Sequence, residues 1–143
     1  MKFKEGVPVY GDVKFRGECP KEDIEQISFF NWLRREYPEY GAVAIHPKNE
    51  EKRSGGKFYA LQKDKAMGLV PGASDIVIPA SPSFVCEMKR QDHTKSRWQK
   101  GQPEYLEAAK KLGAFVAVAL GFEAAKEAFE AYIKWTKEHN TTD

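Results

Sequence analysis

Two carboxylates and a primary amine stand out in the middle of this chain. Asp75 opens the run Asp75-Ile76-Val77-Ile78, and Glu87-Met88-Lys89 follows twelve residues later. Asp75 and Glu87 are the only charged side chains in residues 68–88. Side chains alternate along a strand, so Val85, Glu87 and Lys89 share one face and Phe84, Cys86 and Met88 the other. A glutamate and a lysine in an otherwise apolar strand cost desolvation unless an interaction offsets it. Two carboxylates converging on one point repel each other, and a hard divalent cation is the simplest way to keep both ionised. Lys89, a compact charge with three donors, then suits an attacking water or a phosphate oxygen. The competing reading is a surface salt bridge between Lys89 and either acid. Clustering of three charges in one apolar region favours the site.

These groups meet only if the segments carrying them pair. Asp75 to Ile78 and Phe84 to Lys89 flank the turn Pro79-Ala80-Ser81-Pro82-Ser83, which predicts a hairpin with Asp75 near Glu87 and Lys89. Upstream, Val7 to Phe15 alternates loosely and reads as an edge strand or hairpin. A helix begins after Pro20, with Glu22 and Asp23 at its positive end. Ile24, Ile27, Phe30 and Leu33 recur at helical spacing up to the stop at Tyr37-Pro38. Ala42 to Ile45 and Lys57 to Leu61 read as short strands around a charged loop, His46 to Gly56. Downstream, a helix either starts at Ser96 and kinks or starts afresh with Pro103 at its first position, and ends at Gly113. Ala114 to Leu120 has the composition of a strand buried on both faces. A last helix, about Phe122 to Glu138, carries Phe122, Ala125, Phe129, Tyr132 and Ile133 on one stripe. This order predicts an α/β fold with a mixed sheet between helices.

Composition narrows the class. At 143 residues and 41% apolar content, the chain suits one compact domain. Its longest apolar run, Ala114 to Gly121, falls short of the roughly 20 residues of a membrane-spanning helix, and the first residues lack a signal-peptide core. Two cysteines, Cys19 and Cys86, and three separated histidines argue against a disulfide framework or a zinc site, and suit reduced thiols in the cytoplasm. The net charge of +2 is unevenly spread: residues 46–67 carry +3 and residues 89–111 carry +4, on either side of the two acids. Basic flanks fit a polyanion, although such runs are also ordinary solvated surface. No motif for sequence-specific base readout is present.

Taken together, Gly72-Ala73-Ser74-Asp75, Cys86-Glu87-Met88-Lys89-Arg90 and Gln102, eleven residues before Gly113, resemble the VRR-NUC branch of the PD-(D/E)xK nucleases. Glu25-Gln26 resembles that family's leading Glu-Gln pair, and His46-Pro47-Lys48-Asn49 its segment ending in asparagine before a basic loop. The resemblance spans about residues 20–121, and departs from the usual Pro-Asp by having Ser74-Asp75. It implies a restriction-endonuclease-like αβββαβ core, within a single nuclease domain over residues 1–143 that ends in the helix at about 122–138. It further implies a deoxyribonuclease in which Asp75, Glu87 and the Met88 carbonyl bind one or two Mg²⁺ or Mn²⁺ ions.

In that scheme Lys89 orients the attacking water or stabilises the charge that develops on the phosphate. Glu25 is a further ligand candidate, narrowly ahead of its reading as a first-turn glutamate favoured by the helix dipole. Gln102 fixes a water or a phosphate, with Gln99 competing because Pro103 leaves the register open. His46, Lys48, Asn49, Arg53, Lys57, Arg90, Lys95 and Arg97 are the DNA-contact candidates, and Trp98 is placed to stack on an unpaired base or to anchor the core. Stand-alone members resemble junction-resolving homodimers, which makes branched DNA such as a Holliday junction the expected substrate and a phage or mobile element the expected source. The alternatives are a catalytically silent DNA-binding module of the same fold and a 5′-end-directed nuclease.

Overall fold

The computed structural model describes residues 1–47 and 58–139. Strand β1 (Val9–Tyr10) precedes helices α1 (Glu22–Glu36), α2 (Pro38–Gly41) and α3 (Phe58–Ala66). Strands β2 (Ile76–Ile78) and β3 (Phe84–Lys89) follow, then a 3₁₀ turn (His93–Lys95), α4 (Gln102–Lys111), β4 (Phe115–Leu120) and α5 (Phe122–His139). The four strands form one mixed sheet in the order β1-β4-β3-β2. β2 and β3 are the antiparallel hairpin, with Ile76 opposite Cys86, and β3 runs parallel to β4.

Helices cover both faces. On one side Phe29, Phe30, Trp32 and Leu33 of α1 pack with Ala125, Phe129 and Tyr132 of α5 against Ile76, Ile78, Phe84, Cys86 and Met88. On the other, Leu106 of α4 meets Val85, Val116, Val118 and Leu120, with Phe3, Val7 and Trp98 packed beside them. All six residues of β3 are therefore buried. Glu87 and Lys89 lie in the most enclosed of the described strands, on the α4 side.

Four local expectations are corrected. Of the strand expected over Lys57 to Leu61, the described part is helical from Phe58 to Ala66, because Ala60, Leu61, Gln62, Lys63, Lys65 and Ala66 are good helix formers. Ala42 to Ile45 contributes only an isolated bridge, Ile45 with Val77, since Pro38 starts a further helical turn that runs to Gly41. On α1, Ile24 and Ile27 are more than half exposed, and the buried stripe is Glu25, Phe29, Trp32 and Leu33 with Phe30. α4 starts at Gln102, one residue before Pro103. Pro38 does end α1: the residue before a proline is pushed out of the helical region, and Tyr37 sits at φ −134° and ψ 68°. Both cysteines are free thiols. Among the described residues no helix is long and apolar enough to cross a membrane.

Candidate active site

One step beyond the last β2–β3 pair, the hairpin brings Asp75 opposite Glu87, so the two carboxyl groups share a face and interact. The half-buried Asp75 accepts the Met88 main-chain N–H on Oδ2 at 2.9 Å. Glu87 is 1% exposed, and its Oε1 is buried with no hydrogen-bond donor among the described residues. Burial, and then repulsion from the Asp75 carboxyl, push Glu87 well above the ordinary carboxylate range, while Lys89 pulls the other way. Glu22 in the first turn of α1 adds to the upward push.

Gln102, first residue of α4, ties the acid to the amine. Its Nε2 donates to Glu87 Oε2 at 2.8 Å, and its Oε1 accepts from Lys89 Nζ at 2.9 Å and from the Gln99 main-chain N–H at 2.8 Å. Of the two candidate glutamines it is thus the Gln102 side chain that reaches the pair. Lys89, 2% exposed, also donates to the Arg97 carbonyl at 2.9 Å and stands 3.5 Å from Glu87 Oε2. Its Nζ lies 5.3 Å from the centre of the Trp98 ring, whose Nε1 donates to the Lys2 carbonyl. A buried ammonium is tolerable here because a carboxylate and two carbonyl-type oxygens surround it.

The start of α4 is set by a backbone crossing. Gly72 adopts φ +89°, and a Cβ on it would lie 2.3 Å from the carbonyl carbon of Gly101. Only glycine lets the loop before Asp75 approach the turn before Gln102 this closely. That contact links the loop carrying one carboxylate to the helix holding the other.

The remaining candidates divide by position. The exposed His46 bonds through Nδ1 to the Asp75 carbonyl at 2.9 Å; a carbonyl only accepts, so Nδ1 carries the proton. Glu25 is buried on α1, but both of its oxygens have protein donors, the Phe122 N–H at the start of α5 and the Gln91 side chain. It therefore serves the positive end of α5 rather than pointing an open oxygen at Asp75 and Glu87. Arg90 turns its guanidinium onto the Pro20 and Cys19 carbonyls, and its N–H onto the Ser96 hydroxyl, which in turn donates to Glu22. Lys95 and Arg97 are exposed on the segment that supplies Lys89 with its carbonyl. Lys48, Asn49, Arg53 and Lys57 lie outside the described residues.

The donor set suits a hard cation. An orphaned, buried carboxylate oxygen beside a second carboxyl group is what Mg²⁺ or Mn²⁺ favours. Among the described residues no group of three or more His, Cys, Asp or Glu side chains converges, so other ligands would be main-chain or solvent oxygens. The oxygens fit the ion.

A solved structure of a VRR_NUC domain protein superposes on this chain with a TM-score of 0.65 and 23% identity, covering 84% of this chain and 92% of that one. The two share the VRR_NUC fold. No family model and no curated protein matches the chain. The mixed sheet flanked by helices is the architecture that the resemblance implied, and the VRR_NUC fold carries Asp75, Glu87, Lys89 and Gln102 on the hairpin, its preceding loop and the helix that follows.

Several contributors had no place in the sequence reading. Glu22 reads as an ordinary first-turn acid, although it adds charge at Glu87. The Arg97 carbonyl carries no side-chain signal at all. Asp92 was equally inconspicuous. It accepts the Thr94 hydroxyl and N–H on Oδ1 and the Gly17 N–H on Oδ2, and these bonds hold it down at about 2.

Proposed function

We propose that this protein is a divalent-metal-dependent deoxyribonuclease, a single domain that acts as a homodimer on branched DNA such as a Holliday junction. The observation that carries this reading is the orphaned oxygen of Glu87, buried beside the Asp75 carboxyl and next to a lysine held by Gln102. Asp75 and Glu87, with the Met88 carbonyl, would hold Mg²⁺ or Mn²⁺. When bound, the cation polarises the phosphodiester and makes a water more acidic.

The chain's own groups do the rest. Glu87 gives up any proton shared with Asp75 and presents an open oxygen. Gln102 fixes the Glu87 and Lys89 side chains relative to each other. Lys89 has three acceptors, of which Glu87 at 3.5 Å is the longest, and this is the contact that a phosphate oxygen replaces as negative charge builds up there. A homodimer supports cutting of two strands, because each chain supplies one acid pair.

The test is incubation with supercoiled plasmid, linear duplex, flap and four-way junction, in Mg²⁺ or in EDTA. Paired cuts across the junction, abolished by EDTA and by Lys89→Ala with DNA binding retained, are expected. Binding without cleavage in any metal would make the protein a silent binding module, and product lost only from linear ends would make it a 5′-end-directed nuclease.

A further inference from the structure

We infer that the groove between α1 and the Ala44–His46 segment holds an unpaired nucleotide of a DNA branch, an inference that rests on the nuclease reading above. The groove has a volume of about 450 Å³, within the ~300–1,000 Å³ usual for small-molecule sites. Its floor is apolar, made by Ile27 and Phe30 of α1 with Ala44 and Ile45. Ile27 and Ile45 are 56% and 53% exposed, unusual for isoleucines that flank one depression. Exposed apolar side chains suit contact with the face of a base.

The rim has the complementary chemistry. Gln26 and Asn31 offer amide donors and acceptors, and Arg34 lies over the Phe30 ring, 5.3 Å from its centre, with its guanidinium at the surface. Among the described residues the lining holds one permanent cation and no carboxylate. That balance suits a phosphodiester better than an acidic or purely apolar partner. His46 closes one end and is shared with the site, because its Nδ1 binds the Asp75 carbonyl. The groove thus meets the segment that carries Asp75 through this main-chain contact. A branch with an unpaired nucleotide fits this arrangement; a continuous duplex has no free base to offer.

Three DNA probes test this in EDTA: a paired duplex, the same duplex with a single-stranded flap, and that flap with abasic sites. The protein should bind the intact flap about tenfold more tightly than either of the others. Ile27→Ser/Ile45→Ser and, separately, Arg34→Gln should remove the preference, leave duplex affinity within about twofold, and make binding indifferent to the missing bases. Both isoleucines are more than half exposed, and the abasic comparison needs no variant, so a folding defect cannot decide the outcome. An abasic flap bound as tightly as the intact one, or a preference that survives both variants, overturns the inference. So does sedimentation showing that the isoleucine variant dissociates a dimer, which would make a second copy the occupant. If the unaltered protein cuts plasmid in Mg²⁺ while any of these results holds, only the groove is misassigned; if it neither binds nor cuts any DNA, the nuclease reading falls with it.

Discussion

Glu87 is held at a cost, and the cost is measurable. Its carboxyl sits well above the ordinary value of 4.5, first through burial and then through Asp75. A carboxyl whose folded-state value lies above its unfolded one binds more protons when folded. Stability is therefore lost as pH rises from about 4.5 through the raised value. Asp75→Asn keeps an oxygen for the Met88 N–H but removes the second negative charge. We expect it to abolish cleavage, to flatten that decline, and to raise the neutral-pH Tm by about 3 °C, corresponding to about 1 kcal/mol. If the acid pair holds the cation as proposed, Mg²⁺ should raise the Tm of the unaltered protein and barely move that of the variant. Calorimetry with and without Mg²⁺ checks both; an unaltered protein indifferent to Mg²⁺ would remove the cation from Asp75 and Glu87.

Elements hold these groups through contacts that have little to do with helix or strand propensity. Gly72→Ala would force a Cβ to 2.3 Å from Gly101 and strain φ at +89°, whereas Gly68, at φ +111°, has nothing within 4 Å of such a Cβ. Gly68→Ala therefore reports the backbone strain alone, about 1–2 kcal/mol. Gly72→Ala should lose more than that in Tm, and should also lose activity at temperatures where it is still folded, because Gln102 is carried out of register with Glu87. Equal losses in the two variants would mean that the crossing does not set α4. On the segment leading to Arg97, Asp92 is depressed to about 2 from 3.8 by its bonds to Thr94 and Gly17. Its contribution is complete above pH 3.8 and fades as pH falls through 2, so the Tm difference between Asp92→Asn and the unaltered protein should close over that window in acid melts. The hairpin was legible because two strand-like runs, Asp75 to Ile78 and Phe84 to Lys89, flank a turn with two prolines. α3 was not, because Lys57 to Leu61 is too short a window to separate a period of 2 from one of 3.6. On α1, apolar residues occupy two overlapping stripes, and only packing on α5 decides that Phe29 and Trp32 are buried while Ile24 and Ile27 are not. The Arg97 carbonyl on Lys89, and the Cys19 and Pro20 carbonyls on Arg90, are main-chain contacts, which residue types do not encode.

At the scale of the whole molecule the charge is too small to steer DNA by itself, +2 over 143 residues. Its distribution matters more, because residues 89–111 carry +4 and run from Lys89 around the site into α4. Lys95 and Arg97 are, with Lys100, the exposed cations between β3 and α4, while Arg90 turns onto main-chain carbonyls. If Lys95 and Arg97 neutralise phosphates, each releases counterions, and the slope of log Kd against log salt should flatten by about 0.9 per phosphate contact on duplex DNA. Lys95→Gln/Arg97→Gln should thus reduce the slope by about 1.8 in titrations carried out in EDTA. The Arg97 substitution leaves its main-chain carbonyl on Lys89, so chemistry at saturating DNA should be retained while affinity falls. Parallel salt lines for the double variant and the unaltered protein would exclude this stretch from phosphate contact. A flattened slope together with lost cleavage at saturation would instead mean that the side chain of Arg97 acts beyond affinity, on the groups that Lys89 serves.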